Sequence, residues 1–171
     1  TEIYTLSLHD ALPISAHGLP EKIVAAGDPY PWQVERTVAA VRARLPRELD
    51  SVICFQSRVG PLAWIKPATD AEIRRAGAER ISLIVIPIAF VSEHSETLVE
   101  LDRDYGKLAA GVGVPRYRRL PTVSVHPAFI GGLALRIKAL AAEGPPIASG
   151  SGGRLCPARF GGCPQIEGAR G

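Results

Sequence analysis

The sequence lacks any apolar run approaching the ~20 residues of a membrane-spanning helix, so no helical span is expected. It also lacks a G-x-G-x-x-G turn, a G-x-x-x-x-G-K-[ST] loop and a G-x-S-x-G elbow. The first two wrap backbone amides around phosphates and the third exposes a strained serine, so their absence argues against nucleotide chemistry and serine hydrolysis. Cysteine is scarce, with three in 171 residues. That is too few for a disulfide framework and fits a reducing, cytoplasmic setting, with peripheral membrane association left open. Charge of one sign is not concentrated either. The formal net charge is +3, and the tightest basic cluster is Arg116, Arg118 and Arg119, so nucleic acid is not the expected partner. No repeat of solenoid length is evident. What remains is 46% apolar and 22% charged, ordinary for one globular domain with a real core.

The first fourteen residues, TEIYTLSLHDALPI, read like the translation of a short-read sequencing adapter. On that hypothesis they are excluded from fold reasoning, the protein proper starts near Ser15, and His9 and Asp10 are ignored as site residues. Without Glu2 and Asp10 the net charge becomes about +5 by the same counting. Peptide sequencing of protein from a native source would sink the idea if these residues were found.

From Ser15 onward the order is legible. Residues 15–20 have turn chemistry, with Gly18 and Pro20 as breakers, and residues 27–31 form a second irregular segment. Val34, Val38, Val41 and Leu45 recur at helical spacing, predicting a helix over 32–45. DSVICFQ, residues 50–56, is a short apolar strand, and 57–69 reads as a loop. A helix is expected over 70–78 with Thr69 as N-cap. A central strand follows over 81–89, then a helix over 92–110 capped by Ser92, a strand over 117–123 and a helix over 127–142. Strands alternating with helical segments predict an α/β fold with a doubly wound parallel sheet. Residues 143–171, rich in Gly, Pro and Ser, read as an irregular C-terminal tail.

The most informative stretch is 81–105. A buried strand there delivers His94, Glu93, Glu96, Glu100 and Asp104 at its carboxyl end, the edge where open α/β sheets place ligands. Glu96, Glu100 and Asp104 are spaced by four on one helix face. Like charges in a row repel, and a cation or protons in transit would give the row a reason. The bland alternative is a solvated acidic face. His17 is either a site residue or a loop histidine that caps a carbonyl. Ser57 and Arg58 end the preceding parallel strand on the same sheet edge, and Trp64 offers a flat face for a planar ligand or else a core indole. Cys156 and Cys163 are spaced C-x6-C, unlike the C-x2-C pairs of zinc sites, and Cys54 sits in an apolar strand.

Four ordered segments give this pattern a family resemblance: SAHGLP at 15–20, GDPYP at 27–31, QSRVGP at 56–61 with Trp64 and PATD at 67–70, and PIAFVSEHSETL at 87–98 continuing through Glu100, Leu101, Asp102 and Tyr105. Over about residues 15–140 the chain resembles the ferrochelatases, which insert ferrous iron into a porphyrin in haem biosynthesis. The resemblance implies a chelatase-like fold of two similar α/β halves facing a porphyrin cleft, of which this chain looks like the second. His17 matches the family's invariant histidine, Glu96 its metal-site glutamate, and His94 a neighbouring conserved position. Glu100 and Asp104 match acids along a π-widened helix, giving a metal path of His17, Glu96, Glu100 and Asp104. Trp64, with Ser57 and Arg58, is expected near the macrocycle.

The chemistry suits these residue types. Two pyrrole protons must leave as the metal enters, and an imidazole is a natural acceptor near neutrality. Carboxylate and imidazole hold ferrous iron loosely enough to release it. His17 is thus expected as proton acceptor or metal ligand, with Glu96 as its partner. No cofactor is required; Fe2+ and the porphyrin (protoporphyrin IX or coproporphyrin III) are substrates, and the absent N-terminal half is the expected partner. Some family members carry a [2Fe–2S] cluster on late cysteines. Cys156 and Cys163 fit that pattern, but Gln165 stands where a third cysteine would be, so the resemblance leaves a cluster open for a longer parent and argues against one in this chain. The alternatives are a non-catalytic metal- or tetrapyrrole-binding half-domain, and a chelatase for cobalt or nickel.

Overall fold

A computed structural model describes residues 10–45, 50–143 and 153–163. Among them β1 (Asp10–His17), β2 (Ser51–Gln56), β3 (Ser82–Pro87) and β4 (Tyr117–Arg119) form an all-parallel sheet in the order β2-β1-β3-β4. The connections are helical. α1 (Glu21–Ala25) and α2 (Tyr30–Arg42) join β1 to β2, and α3 (Thr69–Glu79) joins β2 to β3. A ten-residue π-helix (Glu96–Tyr105) runs into α4 (Gly106–Gly111) before β4, and α5 (Pro127–Glu143) follows.

The alternation of side chains along β1 explains the winding. Ala11 faces one side, where it packs with Ile73 and Ala76 of α3, Leu83 of β3 and Ala109 of α4. Ile14 and Ala16 face the other, against Val34 and Val38 of α2 and Phe55 of β2. Each fully buried Ile, Leu or Val contributes about 1.5–3 kcal/mol, so both helical layers are held by the sheet rather than by their own propensity. The expected doubly wound α/β architecture is what the chain adopts.

Several boundaries differ from expectation. Residues 15–17 were expected in a turn, yet they end β1, paired with Cys54, Phe55 and Gln56. Ser15 and Ala16 are completely buried, because β1 is a central strand covered on both faces. The exclusion of residues 1–14 from the fold is corrected for residues 10–14. Asp10 starts β1, and Ala11, Leu12 and Ile14 are almost fully buried, since an apolar segment meets the need of a central strand whatever its coding origin. Residues 1–9, with His9, lie outside the described residues. Thr69 is not an N-cap; Ala68 holds that place, and the Thr69 hydroxyl turns inward to Ser15 and Cys54. Ser92 does not cap the helix after β3, which starts only at Glu96.

The described part of the tail, residues 153–163, is not sheet, as expected, but it is docked. The Gly162 amide donates to Gly27 O at 3.1 Å, and the Phe160 ring lies 6.3 Å from Trp32. Gly27 has φ +99°, and a Cβ there would stand 2.8 Å from the Gly161 nitrogen, so both backbone conformation and tail packing require glycine. Residues 144–152 and 164–171, with Gln165, lie outside the described residues. α5 leaves Ile130, Leu133, Leu135, Ile137 and Leu140 exposed, an apolar surface of the kind that other protein normally covers. No described helix is long and apolar enough to cross a membrane.

Candidate active site

The carboxyl edge of the sheet gathers the ends of β1, β2 and β3. His17 is the last residue of β1, and its Nδ1 lies 2.7 Å from Gly18 O, leaving Nε2 to face outward. Nε2 stands 3.9 Å from Glu96 Oε1. Their side chains are 42% and 36% exposed, so the pair is open to a ligand from solvent. His94 Nδ1 lies 3.1 Å from Glu96 Oε2 without the alignment of a hydrogen bond, and its ring meets Phe90 edge-on at 5.1 Å. Two histidines, His17 at the end of β1 and His94 in the turn just before Glu96, thus meet at one carboxylate.

The turn before the π-helix sets this geometry. Thr97 Oγ1 accepts from the His94 amide at 2.9 Å and donates to His94 O at 3.0 Å, closing the turn that carries Glu96. Just before it, Glu93 leaves the acid row. It accepts from Arg119 Nη1 at 2.9 Å and from the Thr122 amide at 3.0 Å. Burial pushes the Glu93 carboxyl up, but the hydrogen bonds from Arg119 and the Thr122 amide outweigh it and hold it down at about 2.

The remaining predicted residues are positioned as follows. Glu100 faces the end of β2, where it accepts from the Ser57 amide at 2.7 Å, Ser57 Oγ at 2.5 Å, Gln56 Nε2 at 3.0 Å and Tyr105 OH at 2.9 Å. Ser57 has φ +62°, an uncommon conformation that turns its amide and hydroxyl together onto Glu100. Asp104 is exposed and paired with Arg103 at 2.8 Å, which, with nearby Lys107, lowers its carboxyl. Arg58 reaches Asp70 at 2.6 Å. Trp64 pairs across to Pro20, its indole nitrogen buried without a partner and its ring over Gly18. A Cβ on Gly18 would stand 2.8 Å from Gln56 O and 3.2 Å from the Trp64 ring, so glycine lets the loop cross the end of β1. Cys156 and Cys163 are neighbours in the tail, where burial and the Cys163 thiol push the Cys156 thiol up. Cys54 is buried under Thr69, and burial raises its thiol to about 12.

The expected four-residue metal path is therefore not assembled as one group. Among the described residues no three His, Cys, Asp or Glu side chains form a ready cation cage. His17 and Glu96 come together with His94 alongside, while Glu100 and Asp104 are turned to other partners. Sequence reasoning also missed two phenols. Tyr30 OH donates to His17 O at 2.9 Å, and Tyr105 lies five residues after Glu100, one turn of a π-helix, a spacing that carries the signal.

The site can bind a cation loosely between an imidazole and a carboxylate, and pass a proton between them. Residues 3–140 match the family described as Ferrochelatase. The chain is 52% identical over 155 residues to "Ferrochelatase" of Caulobacter vibrioides, covering 91% of this chain and 45% of that protein. It is 57% identical over 149 residues to "Ferrochelatase" of Phenylobacterium zucineum, covering 87% and 43%, and 48% identical over 153 residues to "Ferrochelatase" of Rickettsia bellii, covering 87% and 43%. The chain therefore spans somewhat less than half the length of these relatives. A match over most of the chain, at a site that joins β1, β2 and the π-helix, shows that it belongs to the ferrochelatase family.

Proposed function

We propose that this chain supplies the metal- and proton-handling side of a ferrochelatase that inserts ferrous iron into a porphyrin, and that it forms the second of two similar α/β halves. The observation that carries the reading is the His17 Nε2–Glu96 Oε1 pair, 3.9 Å apart and half-exposed on the carboxyl edge of the sheet. Two donors at that separation admit a cation without enclosing it, which suits an ion that must be handed on. His17 accepts pyrrole protons or ligates the incoming iron, and Glu96 balances the charge. Trp64, across Gly18 from His17, offers its ring to the macrocycle. Fe2+ and the porphyrin are substrates. The apolar surface of α5 supports a covering partner, for which the missing half is the natural occupant. The scarcity of cysteine supports a reducing, cytoplasmic setting.

The test has two levels. In a protein of the relatives' full length, His17→Ala should abolish iron insertion, and substantial residual turnover would remove His17 from the mechanism. In this chain, anaerobic titration with Fe2+ and with porphyrin should show binding that Glu96→Gln weakens for the metal alone. A second reading is a binding half-domain without turnover. Tight binding with no insertion after the missing half is supplied would select it.

A further inference from the structure

The acid row Glu96, Glu100, Asp104 invites a role as successive cation ligands, but the three carboxylates differ in one decisive respect. A carboxylate offers about four lone-pair sites. Glu100 has all of them filled, with Oε1 accepting from the Ser57 amide and Tyr105 OH, and Oε2 from Gln56 Nε2 and Ser57 Oγ. Glu96 has only a distant 3.5 Å contact from Ser95 Oγ besides the two histidines. Asp104 lies on the exposed side with Arg103.

Gln56 extends the argument. It is completely buried and uses every polar atom. Its Nε2 donates both to Glu100 Oε2 and to the backbone carbonyl of Glu96 at 2.9 Å, and its Oε1 accepts from Ser15 Oγ at 2.7 Å. Ser15 in turn shares a 2.9 Å hydrogen bond with Thr69 at the start of α3. One continuous network thus runs from α3 through β1 and β2 to the residue whose carboxylate meets His17. We propose that Glu100 is a positioning residue rather than a cation ligand, and that with Gln56 it latches the first turns of the π-helix to the end of β2, fixing Glu96 opposite His17. The positioning half of this inference rests on the reading of His17 and Glu96 as the cation pair. Burial first, then the Glu100 charge, raises the Tyr105 phenol far above its ordinary value, so Tyr105 serves Glu100 as a donor throughout the usual pH range.

The experiment compares this chain with Glu100→Gln and Glu96→Gln, using Co2+ alone as a coloured probe and thermal melting without metal. A latch predicts that Glu100→Gln lowers the metal-free Tm by about 5 °C or more. It also raises the Co2+ Kd about tenfold, as loss of an outer partner does, while the visible band at saturation keeps its wild-type position. Glu96→Gln shifts or abolishes that band. A shifted band in Glu100→Gln, an unchanged Kd, or a metal-free Tm at or above wild type overturns the proposal, because a vacant ligand in an acid row gains stability when neutralised. If Glu100→Gln does not fold, Tyr105→Phe removes one donor and keeps the charge. A lower Tm with an unmoved band then supports the latch, and an unchanged Tm overturns it. A wild type with no Co2+ band sinks the cation pair instead, while the metal-free Tm still decides the latch.

Discussion

The phenol of Tyr30, the first residue of α2, donates a 2.9 Å hydrogen bond to the backbone carbonyl of His17, the last residue of β1. The helix that packs one face of the sheet thereby also pins the strand end that presents the histidine. Removing the hydroxyl in Tyr30→Phe should cost about 1 kcal/mol, read as a lower urea midpoint with unchanged slope. Burial raises the Tyr30 phenol to about 12 from its ordinary 10.0. The folded state therefore favours the protonated form, and that contribution is fully present below pH 10 and lost as the pH rises through about 12. The stability gap between wild type and Tyr30→Phe should shrink across that window, and a gap that widened would contradict the assignment.

Arg119 joins β4 to the turn that carries the site. It donates to Glu93 at 2.9 Å and to both Asp102 oxygens at 2.6 and 2.7 Å, with only 9% of its side chain exposed. Arg119→Leu should destabilise the fold by about 2 kcal/mol, as expected for lost hydrogen bonds between charged groups. Chemical denaturation checks the magnitude.

Glu93 also fixes an acid limit. Its carboxyl is held at about 2, below the ordinary 4.5, so its contribution to stability is present above pH 4.5 and lost as the pH falls through about 2. In Glu93→Gln the loss of stability over that window should be smaller than in wild type. Equal acid sensitivity of the two proteins would rule the pair out as its cause.

Gly18→Ala places a methyl 2.8 Å from Gln56 O and 3.2 Å from the Trp64 ring. Overpacking of this kind costs about 1–3 kcal/mol. The backbone oxygen cannot yield easily, so the indole should move, changing Trp64 fluorescence along with the stability. An unaltered emission spectrum at full stability would show that the loop accommodates the methyl.

The two tail thiols set a limit on iron–sulfur chemistry. Cys156 and Cys163 are adjacent, and Cys54 is sealed in the core under Thr69. Clusters take four protein ligands as a rule, so this chain by itself should stay colourless after anaerobic exposure to iron and sulfide. A stable visible chromophore would show that residues beyond this set complete a site.

The sequence was a good guide where local rules govern. The alternation of apolar strands with helical segments predicted the parallel, doubly wound sheet. The placement of His94 and Glu96 beyond β3 predicted the sheet edge at which they meet His17. It was a poor guide at β1, where Ser15, Ala16, His17 and Gly18 carry small-residue turn chemistry but Ser15 to His17 run as a strand between β2 and β3. Burial from both faces overrode local propensity there. It also placed the helix start at Ser92, because nothing local announces that Glu93 is drawn off by Arg119, twenty-six residues later.

Periodicity by itself determined the fold class and the resemblance of the ordered motifs the family, because strand and helix periods and the order of motifs are written along the chain. Which acid meets the two histidines was decided only by the tertiary structure. Glu96, Glu100 and Asp104 are equivalent as a row of spacing four. They become distinct when β2 brings Gln56 and Ser57 to Glu100, when the end of β1 brings His17 to Glu96, and when Asp104 is left in solvent with Arg103. A carboxylate's role follows from which donors fill its lone pairs, and three of the four on Glu100 come from Gln56 and Ser57, at the end of β2 and more than forty residues away in sequence.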